Sequence, residues 1–403
     1  RPIWVDDPPD GSIGFTVNGI AANDRSGGAL ASIGDVNGDG YEDFLIGARK
    51  ADPGSGTEGQ SYIVFGKASG FAATLDLSTL NGSNGFVLNG VTSGDEFGIS
   101  VSSAGDVNGD GLADLIVGNR YGDPPGASSG GESYVVFGST AAFAATLSLA
   151  SLNGSNGFLL EGAAAGDHGG EAVSAGDVNG DGYDDLIVGA KYADPNSNSE
   201  AGTTFVVFGK ASGFASTFDL SSLDGTTGFK INGITSDDGS GSGVALAGDV
   251  NNDGIDDIII GAPGGDPNSK SDAGEAYVVF GSTAAFAATV SLATLNGTTG
   301  FVLNGETAGD KLGDFVHAAG DVNGDGIDDL IVGAGYGDPN SLTDAGESYV
   351  VFGTTAGFSA TIELAALNGS NGFKINGLEA GKHAGISVSN AGDVNGDGYD
   401  DVL

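Results

Sequence analysis

Apolar residues along this chain come in short runs set between glycine-rich turns, and the order of the runs repeats. A run such as GFVLNG (Gly85 to Gly90) or GFKING (Gly228 to Gly233) opens a segment and reads as a strand. Ile99, Val101 and Ser103 then alternate within GDEFGISVSSAGD (Gly94 to Asp106), which predicts a second strand. DLIVG (Asp114 to Gly118) is too short for a helix and too apolar for a one-sided strand, so it predicts a strand buried on both faces. ESYVVFG (Glu132 to Gly138) predicts another strand closed by glycine, with equivalents at Gln60 to Gly66, Thr204 to Gly209, Glu275 to Gly281 and Glu347 to Gly353. In FAATLDLSTLNGSNG (Phe71 to Gly85), Leu75 and Leu77 alternate before an Asn-Gly turn signal, and either a strand or a short helix fits.

Between the alternating and the fully apolar run stands one phrase, six times over: DVNGDGYED (Asp35 to Asp43), DVNGDGLAD (Asp106 to Asp114), DVNGDGYDD (Asp177 to Asp185), DVNNDGIDD (Asp249 to Asp257), DVNGDGIDD (Asp321 to Asp329) and DVNGDGYDD (Asp393 to Asp401). The steps between copies are 71, 71, 72, 72 and 72 residues. Such regularity means tandem units, approximately 14–84, 85–156, 157–227, 228–299, 300–371 and an incomplete 372–403, within a single domain spanning 1–403. Four strands per unit of about 70 residues match the four-stranded antiparallel blade of a β-propeller, which makes the fold class all-β. A linear β-solenoid competes, but its coils are usually much shorter.

In D-x-N-x-D-G-x-x-D, alternate residues project oxygen ligands inward. The first loop offers Asp35, Asn37 and Asp39 through side chains, Tyr41 through its carbonyl, and Asp43. The second offers Asp106, Asn108, Asp110, Leu112 and Asp114, and the third Asp177, Asn179, Asp181, Tyr183 and Asp185. The fourth offers Asp249, Asn251, Asp253, Ile255 and Asp257, and the fifth Asp321, Asn323, Asp325, Ile327 and Asp329. The sixth offers Asp393, Asn395, Asp397, Tyr399 and Asp401. Several hard carboxylate oxygens suit calcium, whereas magnesium keeps more water and wants stricter geometry. Glycine at the fourth and sixth positions permits the tight wrap, and Asn252, which replaces one of them, also visits the left-handed region. An EF-hand would carry Glu at position twelve on an exiting helix. Here that position is Ile46, Val117, Val188, Ile260 or Val332, inside a β-branched run, so the EF-hand is rejected. Asp-Asn-Gly strings also make plain hairpin turns, but six copies with the same ligand types favour about six structural calcium ions.

Composition narrows the class. Glycine is 76 of 403 residues and proline 10, which excludes collagen and fits many short strands joined by tight turns. The formal charge of −41 repels a polyanion, so nucleic acid is excluded as a partner. Eighteen of the 54 acids lie at the carboxylate positions of the six phrases, and six dications would bring −41 to −29. Cysteine is absent, so there is neither disulfide nor thiol nucleophile. Methionine is absent even at position 1, which is expected of a processed or excised chain, and no apolar run approaches the ~20 residues of a membrane helix.

GDEFGISVSSAGDVNGDGLADLIVG, together with DDIIIGAPGGDP (Asp256 to Pro267), resembles the FG-GAP repeat of integrin α-subunit propellers and related bacterial proteins, over essentially the whole chain. The resemblance implies a propeller, seven-bladed in the family, with calcium loops in the hairpin between the first and second strands of a blade. It also implies that the sequence unit starts one strand early, and that the opening strand at Phe15 to Val17 completes the last blade. Six repeat starts are visible, so six or seven blades are expected, with a longer natural chain. At the opening position of the repeat, Phe-Gly stands literally only at Phe97 and Gly98, while Gly27, Gly169, Gly241, Gly313 and Gly385 keep the glycine alone. Gly-Ala-Pro occurs only at Gly261 to Pro263. The fold survives these changes, whereas an integrin-like choice of partner does not transfer.

His168, His317 and His383 form no cluster in register and read as incidental loop residues. No Ser-His-Asp order, HExxH or P-loop appears, and no enzyme activity is expected within the chain. Asp52, Asp123, Asp194, Asp266 and Asp338 each precede proline, as turn starters or as a ring of acids opposite the calcium loops. The loops they open, about residues 49–60, 119–131, 191–203, 263–275 and 335–347, are the longest and most variable, and the resemblance implies that this face engages ligands. Asn81, Asn153, Asn296 and Asn368 fit a glycosylation pattern and, better, an Asn-Gly turn. RYGD at Arg120 to Asp123 reads as coincidence, given the inserted Tyr121. The function expected is a secreted or surface-held, calcium-stabilised module that binds a protein or glycan or self-assembles. The alternatives are the propeller portion of a larger secreted hydrolase or lyase, and a structural filament subunit.

Overall fold

A computed structural model describes residues 14–54, 56–211 and 213–403. Five antiparallel blades follow one another. The first is built from Ser26–Gly34, Asp43–Ala48, Gln60–Val64 and Gly85–Asn89. The second uses Val101–Gly105, Asp114–Asn119, Glu132–Val136 and Gly157–Glu161, and the third Ala172–Gly176, Asp185–Ala190, Thr203–Val207 and Gly228–Asn232. The fourth uses Val244–Gly248, Asp257–Ala262, Glu275–Val279 and Gly300–Asn304, and the fifth Phe315–Gly320, Asp329–Ala334, Glu347–Val351 and Gly372–Asn376. First strands of consecutive blades pack on one another. Each blade takes its outer strand from the start of the next sequence unit.

The propeller therefore has five blades, not six or seven. The sixth phrase folds into a two-stranded hairpin, Asn390–Gly392 with Asp401–Val402. Counting phrases overstates the blades because a phrase builds only the first hairpin, and a blade needs two further strands. The opening segment Thr16–Asn18 lies parallel to Thr74–Asp76, which is how the outer strand of each of the first four blades meets the segment of the following unit.

Those parallel segments define the path of the chain beyond the third strand. Thr217–Asp219, for example, adds a fifth strand to the outer edge of the second blade and runs directly into a single 3-10 turn, Leu220–Ser222. Strand and short helix are thus both present, in series. The added strand covers an edge that would otherwise expose unpaired backbone groups. A phenylalanine pins it: Phe214 stacks on Phe158 of the covered strand at 4.5 Å and 5°, and Phe143 on Phe86 at 4.4 Å and 8°.

The second strand of the middle blades is buried throughout, as its uninterrupted apolar run predicts. Its glycine is required by packing. A Cβ on Gly118 would run into the carbonyl of Gly170 in the next blade, and Gly189 meets Gly241, and Gly261 meets Gly313, in the same way. The partner glycines have φ near +90° and donate their N–H to the second strand of their own blade, Gly170 to Gly189 and Gly241 to Gly261. This glycine-on-glycine contact holds neighbouring blades close. It explains why the glycine persists where the adjoining phenylalanine and proline do not, with Gly170 and not Gly169 filling that place in the third blade.

Replacing Phe158, which is fully buried, with alanine should destabilise the propeller by about 3 kcal/mol, through lost transfer energy, an open cavity and the lost stack on Phe214. A shift of the urea midpoint to lower concentration checks this.

Candidate metal-binding loops and the loop face opposite them

Each aspartate phrase spans the tight connection between the first and second strands. In the first loop, Asp35 Oδ1 accepts from the N–H of Gly38 and Asp39 at 2.8 and 3.0 Å, and Oδ2 accepts from Gly40 at 2.7 Å. Asn37 Oδ1 accepts from Asp39 N–H, and Asp39 Oδ1 from Tyr41 N–H. The chain thus wraps around its own side chains, with Gly38 and Gly40 at φ 74° and 86°. Asn252 takes φ 58°, in the left-handed region that glycine occupies in the other copies. The first aspartate holds the loop in the same way at Asp106, Asp177, Asp249, Asp321 and Asp393.

The ninth position differs from the rest. Asp114, Asp185, Asp257 and Asp329 are fully buried, and Asp43 nearly so. Asp114 Oδ2 accepts from Val107 N–H at 3.1 Å and Oδ1 from Gly138 N–H at 2.8 Å, so one carboxylate ties the start of the loop to the end of the third strand. The bridge recurs at Asp43, Asp185, Asp257 and Asp329. This bridging role was not visible in the sequence, although the pairing of a ninth-position Asp with a glycine closing the YVVFG run was its signal. Burial, with repulsion from the fifth and first aspartates, pushes the acid up to about 6 at Asp43, about 8 at Asp114, Asp185 and Asp257, and about 7 at Asp329.

The donors that each phrase supplies, three carboxylates, one amide oxygen and a backbone carbonyl, are all oxygen, the set that hard divalent cations take. A carboxylate buried among other carboxylates, with only neutral N–H groups to oppose its charge, fits such a cation. Among the described residues, no group of three or more His, Cys, Asp or Glu is gathered as a ready metal cluster. Asn108 and Asn179 instead turn their amide N–H groups toward the ninth-position carboxylate.

The loops after the second strand lie at its other end, opposite the phrases. Asp123, Asp194, Asp266 and Asp338 each accept a backbone N–H six residues on, at 2.6 to 2.8 Å, so they close their own loops. A different acid set is buried beneath them: Asp95, Asp167, Asp238 and Asp310. Burial, reinforced by Glu347 and Asp338, pushes Asp310 up to about 7, and Asp95, Asp167 and Asp238 are raised to about 6 for the same kind of reason. Only a short Gly-Asp before the first strand, at Asp95, Asp167 and Asp310 but not at Asp238, signalled them in the sequence.

At these loops four of the chain's 13 cations, Arg49, Lys50, Arg120 and Lys191, form one ion-pair network. Arg120 reaches Glu96 at 2.7 Å and Glu171 at 2.8 Å, Lys50 also pairs with Glu96, and Lys191 lies 3.6 Å from Glu171. Arg120 and Asp123 of RYGD therefore have internal partners. His168 stands edge-on between Tyr121 and Tyr192 at 4.8 and 4.7 Å, and burial pushes its imidazole below the usual histidine range. His317 lies in the first strand of the fifth blade, and His383 bonds the Gly335 carbonyl. Beside this network a cleft of about 290 Å³ opens between Tyr192 and Tyr336, with Ser242, Gly264, Lys311 and Asp314 in its lining. At Asn81 the side-chain oxygen accepts from Ser83 N–H and Oγ. Asp224 makes the same bonds to Thr226 in another unit, so turn chemistry accounts for this position.

Residues 26–64, 97–136, 169–207, 240–279 and 317–351 match the FG-GAP repeat family. Among curated relatives, integrin alpha pat-2 of Caenorhabditis elegans is 31% identical over 245 residues, 58% of this chain and 17% of that protein. Integrin alpha-PS2 of Drosophila melanogaster is 32% identical over 211 residues, 52% of this chain and 14% of its own length. Phosphatidylinositol-glycan-specific phospholipase D of Bos taurus is 30% identical over 167 residues, 41% and 18% of the two chains. The matched stretch is thus less than a fifth of each relative.

Asp310 carries a testable consequence. Its folded-state pKa is raised above the ordinary 3.8 to about 7, so its contribution is fully present below about 3.8 and is lost progressively as pH rises from there through about 7. Asp310→Asn should raise Tm at pH 8 by roughly 2–4 °C and by less than half as much at pH 5, where only the first part of that loss has occurred; differential scanning fluorimetry at both values checks this.

Proposed function

Since the chain is an FG-GAP repeat propeller of the integrin α-subunit kind, we propose that it is an extracellular, non-catalytic ligand-binding or adhesion module whose six aspartate loops hold structural calcium. The observation that carries this reading is the contrast between the two ends of the blades. One end repeats the same oxygen-rich loop with a buried carboxylate at its base. The other carries loops that differ from blade to blade and open the cleft between Tyr192 and Tyr336. Calcium offsets the carboxylates and fixes the hairpins, and the variable face is left to meet a protein or glycan. Exposed tyrosines beside polar groups suit recognition, because they offer large contact area at low entropic cost.

A second reading, the non-catalytic portion of a larger secreted enzyme, is favoured by the similarity to the bovine phospholipase D. In that setting the variable face would dock the catalytic part. Self-assembly of the propeller is a further use of the same face. No helix among the described residues is long and apolar enough to cross a membrane.

Removing calcium with EGTA should lower Tm by about 10 °C or more, because ligand bound only to the folded state stabilises it by mass action at every site. An unchanged melt would remove calcium from the account. Against a panel of immobilised matrix proteins and glycans, Tyr192→Ala combined with Tyr336→Ala should weaken binding about tenfold or more at unchanged Tm. Binding that survives both substitutions would place the ligand elsewhere.

A further inference from the structure

The eighth residue of the phrase is outside the set of ligand positions, yet it is Asp184, Asp256, Asp328 and Asp400 in the last four copies. Each of these half-buried side chains leaves its own loop and reaches the loop of the preceding blade. Asp184 Oδ2 accepts from Asp106 N–H at 2.7 Å, Asp328 Oδ2 from Asp249 N–H at 2.9 Å, and Asp400 Oδ2 from Asp321 N–H at 3.0 Å. Asp256 takes the equivalent bond from the backbone of Asp177. The group held is in every case the first residue of a neighbouring phrase, the one whose carboxylate organises that loop.

Two further features belong to the same contact. The glycine just before the first aspartate leaves room for it: a Cβ on Gly105, Gly248 or Gly320 would overlap the carboxylate of Asp184, Asp328 or Asp400. The seventh residue packs beside it, with the rings of Tyr183 and Tyr399 lying over Gly109 and Gly324 of the preceding loops. At one junction the link is missing. The second copy has Ala113 at position eight, which keeps a backbone bond from its N–H to the Asp35 carbonyl at 3.3 Å but offers no carboxylate to the first loop.

We propose that Asp184, Asp256, Asp328 and Asp400 are positioning residues that couple each calcium loop to the one before it, so that loops two to six fill as a linked series and loop one fills separately. The route is short. Position eight is bonded covalently to position nine, the buried ligand, so a cation that fixes Asp185 also fixes Asp184 and through it the first residue of the second loop. Filling one loop then removes part of the ordering cost of its neighbour, which is positive cooperativity.

This inference rests on the calcium reading and is separable from it by isothermal titration with calcium alone, each variant first checked for β-structure by circular dichroism. The native chain should bind with a Hill coefficient above one, plus one separate site. Asp184→Ala, Asp256→Ala and Asp328→Ala together should bring the series close to independent binding and weaken it about tenfold, the scale of losing a hydrogen bond to a charged group. The matching Asn substitutions, which keep an acceptor, should largely restore it. Native binding with a Hill coefficient of one, or a triple alanine variant that titrates like the native chain, would overturn the coupling while calcium binding stands. Absence of any calcium binding would overturn both. Should the triple variant not fold, Ala113→Asp runs the test in the other direction, drawing the separate site into the series; an unaltered titration of that variant overturns the proposal.

Discussion

A single buried carboxylate holds each blade together. The ninth residue of the phrase takes one N–H from the start of its loop and another from the glycine that ends the third strand, so three strands are tied at one end by one side chain. An ionised carboxylate sealed from water is costly unless something opposes its charge, and two backbone N–H groups, joined at Asp185 by the Asn179 amide, oppose only part of it. The other acids of the loop make the burden larger. A cation in the loop would reverse the sign of that contribution, turning the most strained group of the blade into its firmest joint. For a cation-filled loop, ion and fold are one problem, posed once per unit.

The opposite end of the blade has no such tie, which is why it is free to vary. There the second strand leaves through the glycine contact between blades, where a bare backbone meets a bare backbone. That contact fixes the spacing of the blades and makes no demand on the loop beyond it. The loops can then differ in length and charge, provided each closes on itself, which the aspartates at 123, 194, 266 and 338 accomplish from within. In a chain with net charge −41, four of the 13 cations, Arg49, Lys50, Arg120 and Lys191, meet Glu96 or Glu171 at these loops. The face is therefore not a uniform ring of acid, as the run of Asp-Pro pairs suggested.

Local pattern carried much of this architecture. The apolar runs marked the strands because each strand is either one-sided or buried on both sides, and the repeat spacing identified the blade. The phrases marked the hairpins because Asp, Asn and Gly are the residues that such a wrap requires. Legibility failed where a residue acts across the repeat. The blade count went wrong because a phrase signals a hairpin and not the two strands that complete a sheet. Asp114 read as a ligand of its own loop, and its hold on Gly138, in a strand 24 residues away, has no local signature. Asp310 and its equivalents lie beneath loops whose fold places them there, and Asp184 serves a loop in another blade.

In a chain of near-identical units, it is the departures that carry information. Identical residues in every unit satisfy identical packing, and their persistence needs no further cause. After the second strand the first three blades carry Arg49-Lys50, Arg120-Tyr121 and Lys191-Tyr192, whereas the fourth carries Pro263-Gly264. Losing a cation and a ring at one place in the series leaves a notch, and the cleft lies at that notch, between the rings that remain on either side. Ala113 is the counterpart on the phrase side, the one position after the first copy where an inter-loop carboxylate is absent. A symmetric propeller gives every blade the same site. These two interruptions set one cleft and one phrase apart from their counterparts in the other units.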